Sequence, residues 1–537
     1  YKWPIIVNPA LSEPGGIPHP PVGEAIYSNL GKIVGYDNFR LIPFVFSILN
    51  FFLLFYLVKN IFNTKTALWS VFLFSISFYS LLASLMVDTD GAIMPTFFLI
   101  AAIGYMKLRK MNFQFSIFNF QFWIFVAGIV GGFLVKTSFI IAIGAFVLDF
   151  LIAKQVFSDK RKLLKYSLYC LGLGIVLALV LFLSKFIFPS FNLQSSFSYW
   201  EHFAKLNGRG WLQTFIQFSK AILYTSPLLI LPAFLSTREI WQKTRPFFLF
   251  IFIGLFFYLF AFDFSGGALD RYFQFLIVPL CVIGGAVLAK FATPPQPSPK
   301  GREAIFTLLF SFLIFLFQFF THYVPPLYPK TEWITRIIQL KWNFLFPFTG
   351  GSGPTGFYVS FLFMALIWFI CFILIFAAKM QKSDFFLPKG FPQKPEFLYF
   401  RANTIFVILI LGILYNGVFI EEHLFGKING SPYGLFAQAK EFIANDEKIK
   451  KVVVYNDIGG YEIRQIGKYQ RRLYAAPQFE ATYKDFFKNF SGHILYIDIP
   501  RIGNNNFYAN YLNSCKNIYE QKDSYITAKI LECKKIK

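Results

Sequence analysis

Apolar runs near the roughly 20 residues that a helix needs to cross a bilayer recur along most of the chain. They lie at about 40–62, 67–87, 89–107, 120–135, 137–153, 163–188, 218–236, 246–264, 271–291, 304–322, 355–379 and 402–421. The pattern predicts about twelve transmembrane helices. The runs at 120–135 and 137–153 are parted only by Lys136, and a lysine beside Gly131, Gly132 and Thr137 argues for a break there. Ahead of the first run lies PGGIPHPPVGEAIY, from Pro14 to Tyr27. Pro18, Pro20 and Pro21 deny this stretch a regular helix up to about Val22, since proline lacks the N–H and pushes its predecessor toward extended backbone. From Gly23 to Val34, Ala25, Ile26, Leu30, Ile33 and Val34 fall near helical spacing, with Glu24, Asn29 and Lys32 toward the other face. That predicts a short helix lying on the membrane surface.

Past about residue 422 the pattern changes. Pro432 to Asn445 has helical spacing; Lys451–Tyr455, His493–Ile499 and Tyr525–Leu531 read as buried strands, with helices at Tyr483–Phe490 and Asn506–Lys516. Alternation of this kind predicts a small α/β domain with a parallel sheet. Gly459-Gly460 lacks the spacing of a nucleotide fingerprint and reads as a turn. The expected organisation is an external loop with an interfacial helix (1–39), a multi-helix transmembrane domain (40–421) and a soluble extracytoplasmic α/β domain (422–537). In class, this is an α-helical polytopic membrane protein.

Composition agrees. Of 537 residues, 56% are hydrophobic and 15% charged, and the mean hydropathy is +0.52, which excludes a soluble single-core protein. A net charge of +23 would suggest nucleic acid in a soluble chain, but here the basic residues sit in short loops: Lys107, Arg109 and Lys110; Lys154 to Lys165; Arg238, Lys243 and Arg245; Lys290, Lys300 and Arg302; Lys379 to Arg401. No nucleic-acid partner is expected. With twelve crossings these loops share one side, and the positive-inside rule makes that side the cytoplasm. Residues 1–39, Asp88 to Asp90, Lys136, the 189–217 loop, Asp263 to Arg271, the 322–354 loop, the tail and all five histidines then face outward from the cytoplasmic membrane. The repeat within NFQFSIFNFQF and the Pro-rich PPQPSPKGRE at 294–303 read as loop filler. Cys170, Cys281 and Cys371 lie in apolar runs; Cys515 and Cys533 can pair if the tail is in an oxidising space. No zinc pattern is present.

Candidate chemistry gathers on the outer side. Val87-Asp88-Thr89-Asp90-Gly91 sets two carboxylates at a helix mouth, as a solvated cap or as a functional pair. On an α-helix, residues two apart point about 200° from each other, so only one of them can face a cleft. Lys136 either snorkels to the interface or meets an anionic lipid phosphate. Asp270-Arg271-Tyr272 offers a guanidinium that can grip a phosphate with two N–H bonds, or a plain surface pair. His19, as a neutral imidazole, can bond a phosphate oxygen or orient a hydroxyl. Glu201-His202 and His322 have no motif around them.

HPPVGEAIYSNLGKIVG, followed by FRLIPFVFSI, is similar to the first external loop and next helix of polyprenyl-phosphate-dependent membrane glycosyltransferases. That family includes the protein O-mannosyltransferases and the bacterial aminoarabinose transferases of the GT-C fold. The resemblance implies a further apolar helix and an acidic pair upstream of Tyr1, and a donor sugar on polyprenyl phosphate. It also implies transfer with inversion to an acceptor hydroxyl, and no obligatory cofactor or metal; a divalent ion has no motif to support it. By the same resemblance Asp90, with Asp88 next, matches the acidic residue of the second external loop in SLMVDTDGAIM. His19 matches the His or Lys of the first loop, and Arg271-Tyr272 the Arg-Tyr of RYFQFLIVPL. The implied catalytic residues are Asp90, Asp88 and His19, and the donor-phosphate residues Lys136, Arg271 and Tyr272. The partners would be the lipid-linked sugar, membrane lipid, and an acceptor that is protein, lipid or glycan. Two other classes compete: a transporter or flippase, which predicts internal repeats and broken helices, and a non-catalytic scaffold. No convincing repeat is visible.

Overall fold

The computed structural model describes residues 20–534 except 36–37, 114–115, 117, 189–190, 205–209, 263–269, 292–311, 314–315, 317–329, 349–356, 381–394, 426–429, 431, 450–451, 456–471, 476–490, 499–511 and 525. The predictions for His19, His322, the 294–303 loop, Gly459-Gly460, the helix at 483–490 and most of the run at 304–322 fall outside these residues. The protein is mostly helical and spans the membrane. Among the described residues six helices are long and apolar enough to cross a bilayer: Leu41–Ile61, Thr89–Lys110, Lys160–Ile187, Arg238–Ala261, Tyr272–Lys290 and Thr404–Glu422. Two further helix pairs are apolar enough when taken together but are bent, Thr64–Ile76 with Phe78–Leu85 at 64° and Thr214–Tyr224 with Pro227–Leu235 at 82°, as broken spans or re-entrant loops. Phe120–Val135, Thr137–Ala153 and Phe361–Phe376 are shorter apolar helices. Each expected run other than 304–322 therefore carries helix, although two expected as single helices are broken.

In chain order the elements are α1 (Pro21–Val34), α2 (Leu41–Ile61), α3 (Thr64–Ile76), α4 (Phe78–Leu85), a π-turn (Thr89–Ile93), α5 (Met94–Lys110), α6 (Phe120–Val135) and α7 (Ile140–Ala153). They continue with α8 (Lys160–Ile187), α9 (Leu193–Phe203), α10 (Trp211–Tyr224), α11 (Pro227–Ile230), α12 (Arg238–Phe256), a 3₁₀ turn (Asp270–Leu276) and α13 (Ile277–Phe291). The first helix starts at Pro21, earlier than the prolines suggested, because the first helical turn needs no N–H from proline and Pro20 serves as the cap. Lys136 does break the run around it: it is extended at the end of α6 (φ −157°, ψ 133°), before a 3₁₀ turn leads into α7.

Contacts divide the chain into two compact units, Gly15–Glu303 with Phe369–Ile413, and Ala304–Trp368 with Leu414–Lys537. In the first, α5 lies along α6, α3 along α13, and α12 along α7, while α2 meets both α3 and α5. Small residues set the closest crossings, as is usual between helices in lipid. A Cβ on Gly128 would lie 2.3 Å from the Ala101 backbone nitrogen, and one on Gly285 2.0 Å from Ser70 Oγ. By contrast α8 exposes Leu168, Leu171, Ile175, Phe182 and Phe186, an apolar surface that suits lipid and not water.

One charged cluster ties this unit together at the end where the basic loops gather. Asp149 on α7 is fully buried. Tyr105 on α5 donates to its Oδ2 at 2.7 Å; Arg245 on α12 donates through Nε to Oδ1 and through Nη2 to the Asp149 carbonyl at 3.1 Å; Arg109 Nε lies 3.4 Å from Oδ2. Arg109 also donates to the carbonyl oxygens of Gln242 and Lys243. One carboxylate thus joins α5, α7 and α12.

In the second unit a hairpin, β1 (Leu345–Phe348) with β2 (Phe357–Ser360), packs Phe346 on the buried Trp333. The tail forms a five-stranded sheet from β3 (Val452–Tyr455), β4 (Arg472–Ala475), β5 (Gly492–Asp498), β6 (Lys516–Asp523) and β7 (Ile526–Cys533), in the order β4-β3-β5-β7-β6. Here the expectation of a parallel sheet needs correction. Pairs β3–β4 and β3–β5 are parallel, but β7 runs antiparallel to both β5 and β6. The physical reason is a tight connection: β6 and β7 are joined through Ser524, at φ 50°, a left-handed position suited to a hairpin. Strand β6 reads KNIYEQKD, a polar edge without the buried alternation that marks a strand in sequence, and it begins at Lys516, where a helix was expected to end. The helix Pro432–Asn445 covers the sheet through Leu435, Ala439 and Ile443. Cys515 and Cys533 form a disulfide.

Candidate functional site

The two carboxylates of VDTDG part company for a local reason. Pro95, near the start of α5, has no N–H to return to the carbonyl four residues back, and the chain takes up a π-turn at Thr89–Ile93 with the Met94 N–H bonded to the Thr89 carbonyl. π-turns inside helices are rare and often mark functional sites. Asp88 is extended (φ −145°, ψ 164°), and its side chain accepts from the Thr89 N–H at 2.6 Å. Asp90, one place into the turn, is buried at 2% exposure. So Asp88 caps, and Asp90 points into the protein.

Asp90 meets Lys136 there. The extended backbone of Lys136 carries its side chain across from the end of α6, and Nζ donates to Asp90 Oδ2. The same Nζ lies 4.6 Å from the centroid of the Tyr272 ring, a cation–π placement. A carboxylate, an ammonium and an aromatic face therefore converge from three separate helix ends. Lys136 is 12% exposed at its side chain, Asp90 3%. A buried pair of this kind is costly to desolvate.

Two elements close over the cluster. A Cβ on Gly23 of α1 would lie 2.5 Å from Thr89 Cγ2 and 3.6 Å from the Val135 carbonyl oxygen, so only glycine lets the surface helix come this near to both the π-turn and the end of α6. Tyr27 donates to the Asp88 carbonyl at 2.8 Å. Burial, reinforced by the Asp88 carboxylate, pushes the Tyr27 phenol well above its ordinary value, and the group remains a donor. On another side Trp200 of α9 donates through Nε1 to Thr137 Oγ1 at 2.9 Å and packs on Phe257 and Phe262. Beyond the ion pair, Met94, Phe98, Ser138, Phe139, Ala142 and Tyr258 are among the residues lining a narrow apolar cleft.

Of the expected site residues, the structure brings together Asp90, Lys136 and Tyr272, with Asp88 alongside. Arg271 is part of the 3₁₀ turn next to Tyr272; its side chain, like those of Asp270 and His202, is outside the described residues, as is His19 itself. No group of three or more His, Cys, Asp or Glu that could hold a metal occurs among the described residues.

Three buried polar residues escaped sequence reasoning, two of them near this cluster. Asn50 of α2 donates through Nδ2 to the Ala92 carbonyl at 2.8 Å and accepts from Thr96 Oγ1 at 2.7 Å. Gln274 is buried with its amide unpartnered among the described residues, and its Oε1 would lie 2.5 Å from a Cβ on Gly91. Asp149 is the third. Each is a lone polar residue in an apolar run, the same signal that singled out Lys136.

Residues 18–187 match the family model described as dolichyl-phosphate-mannose-protein mannosyltransferase, a stretch that contains Asp88, Asp90 and Lys136. No curated protein matches the chain. Among solved structures it is similar to ArnT from Cupriavidus metallidurans in the apo state, at 12% identity and a TM-score of 0.49, and to the same protein bound to undecaprenyl phosphate, at 13% and 0.48. Each match covers 96% of this chain and 88% of that one. The resemblance read from the first loop is borne out: over residues 18–187 the chain is similar to the dolichyl-phosphate-mannose-protein mannosyltransferases.

Proposed function

We propose that the protein transfers a sugar from a polyprenyl-phosphate donor to an acceptor hydroxyl at the outer face of the cytoplasmic membrane, with inversion. The observation that carries this reading is the buried Asp90–Lys136 pair under the Tyr272 ring, with Asp90 and Lys136 inside the stretch that matches the mannosyltransferase family. Asp90 takes the proton from the acceptor hydroxyl as its oxygen bonds to the anomeric carbon. The bond from that carbon to the phosphate oxygen breaks, and its electron pair leaves with the polyprenyl phosphate. Lys136 stabilises the charge that develops on the departing phosphate. The arriving phosphate competes with Asp90 for the ammonium, so donor binding itself frees the carboxylate to act as a base. Arg271 adds a second grip on the phosphate and His19 orients the acceptor, both by resemblance to the family's motifs.

The outward orientation is supported by the one-sided basic loops and by the Cys515–Cys533 disulfide, a bond that persists in oxidising spaces. A cysteine placed at Ser195 should react with an impermeant thiol reagent on intact cells and one at Ser158 should not; the reverse pattern overturns the orientation.

Lys136→Gln should cut donor use about 10- to 100-fold, as losing a charge-assisted hydrogen bond costs roughly 1.5–3 kcal/mol, with the acceptor KM unchanged. Steady-state kinetics with each substrate varied in turn make the test. Equal loss for both substrates would show that Lys136 only anchors helices. The two bent helix pairs favour one other reading, a transporter of an anionic or lipid-linked substrate. Movement of labelled lipid across proteoliposomes without any transferred sugar would select it.

A further inference from the structure

We propose that Asn50 is a positioning residue for the transfer reaction, holding from the middle of α2 the π-turn that presents Asp90 to Lys136. The inference rests on the role assigned to Asp90 above. Asn50 stands in LIPFVFSILNFFLLFYLVKNI, a helix otherwise apolar along most of its length, and is 1% exposed. An amide in such a place is costly unless both of its ends are bonded. Both are: Nδ2 to the Ala92 carbonyl at 2.8 Å, and Oδ1 from Thr96 Oγ1 at 2.7 Å. A flipped amide would set its oxygen against the Ala92 carbonyl oxygen, acceptor against acceptor, so the bond to Ala92 fixes its orientation.

What it holds is the weak point of the helix ladder. Pro95 offers no N–H to the turn, and Ala92 lies inside the π-turn, two residues beyond Asp90. Thr96 Oγ1 also lies 3.0 Å from the Ala92 carbonyl oxygen, so the three groups form one knot. An anchor on another helix, 42 residues away in sequence, fixes the turn where its own backbone bonds are irregular. Neither Asn50 nor Thr96 touches Asp90, Lys136 or Tyr272 through any bond described above. Its effect on chemistry passes through the turn.

The test is a double-mutant cycle on full-length protein in lipid nanodiscs, with transfer from a polyprenyl-phosphate sugar as the readout. Asn50→Leu should lower kcat roughly 10- to 100-fold, the size of loss expected when a reacting group is displaced by about 1 Å, while the donor KM stays within about twofold. Thr96→Val, which deletes one hydroxyl and spares the fold, should lower kcat in the same direction by about threefold. In an Asp90→Asn background, Asn50→Leu should add almost nothing, because coupled residues are not additive. An equal loss in both backgrounds, or a loss confined to KM, overturns the proposal while leaving the proposed function standing. Full activity of Asp90→Asn alone would defeat both.

Discussion

Asp90→Asn is expected to lower single-turnover transfer by roughly 10²–10⁴, the range for removing a group that acts on the proton in flight, whereas Asp88→Asn should leave turnover near wild type. The two residues are alike in type and two residues apart, so their difference must come from the backbone. Asp88 is extended and its carboxylate takes the Thr89 N–H; an asparagine oxygen can accept the same bond, and the cost in stability should be about 1 kcal/mol or less. Asp90 sits inside the π-turn, buried against Lys136 and the Tyr272 face. Asparagine there can accept from the ammonium but cannot take up a proton. Measuring transfer beside thermal unfolding for both variants separates the roles. Full activity in Asp90→Asn would remove it from the chemistry, and parallel losses of stability and activity in both would reduce the pair to helix capping.

The second large effect is on stability, at the opposite end of the same helices. Asp149→Ala should destabilise the protein by about 3–5 kcal/mol, the usual cost of removing one partner from a buried ion pair. Arg109 and Arg245 are only 18% and 17% exposed at their side chains, so both would keep charges with no carboxylate to balance them, and Tyr105 would lose the bond to Oδ2. Glu239 is a useful control. It pairs with Lys243 at 2.9 Å, but those side chains are 62% and 45% exposed, and Glu239→Gln should leave the unfolding temperature close to wild type. Thermal unfolding in detergent gives both values. Equal losses would mean that the Asp149 cluster is solvated and does not tie α5, α7 and α12.

Much of this was legible because lipid imposes a simple rule. Apolar runs of sufficient length became helices, and the break at Lys136 followed from a lone cation beside glycines. The divergence of Asp88 and Asp90 was expected for a different reason from the one found: helical phase would turn them apart, but Asp88 is outside the helix and the π-turn places Asp90. Pro95 was the available signal. The bend between α3 and α4 turns at Ser77, whose extended backbone has no proline or glycine to announce it; the bend before α11 had Pro227. Asn50 and Asp149 were missed although the rule applied to Lys136 would have found them. In the tail, strand β6 is polar and β7 closes on it through Ser524, a geometry that alternation cannot reveal.

The central claim is that this membrane protein breaks the bond between a sugar and a polyprenyl phosphate. The most direct measurement uses purified full-length protein in nanodiscs with a polyprenyl-phosphate mannose or aminoarabinose, labelled in both sugar and lipid, together with membrane extract as acceptor source. Labelled sugar should appear on an acceptor in step with free polyprenyl phosphate, and both should fall together in Asp90→Asn. If the labelled donor stays intact with every sugar offered while Lys136 still governs its binding, the protein handles the lipid without transferring its sugar, and the claim is wrong.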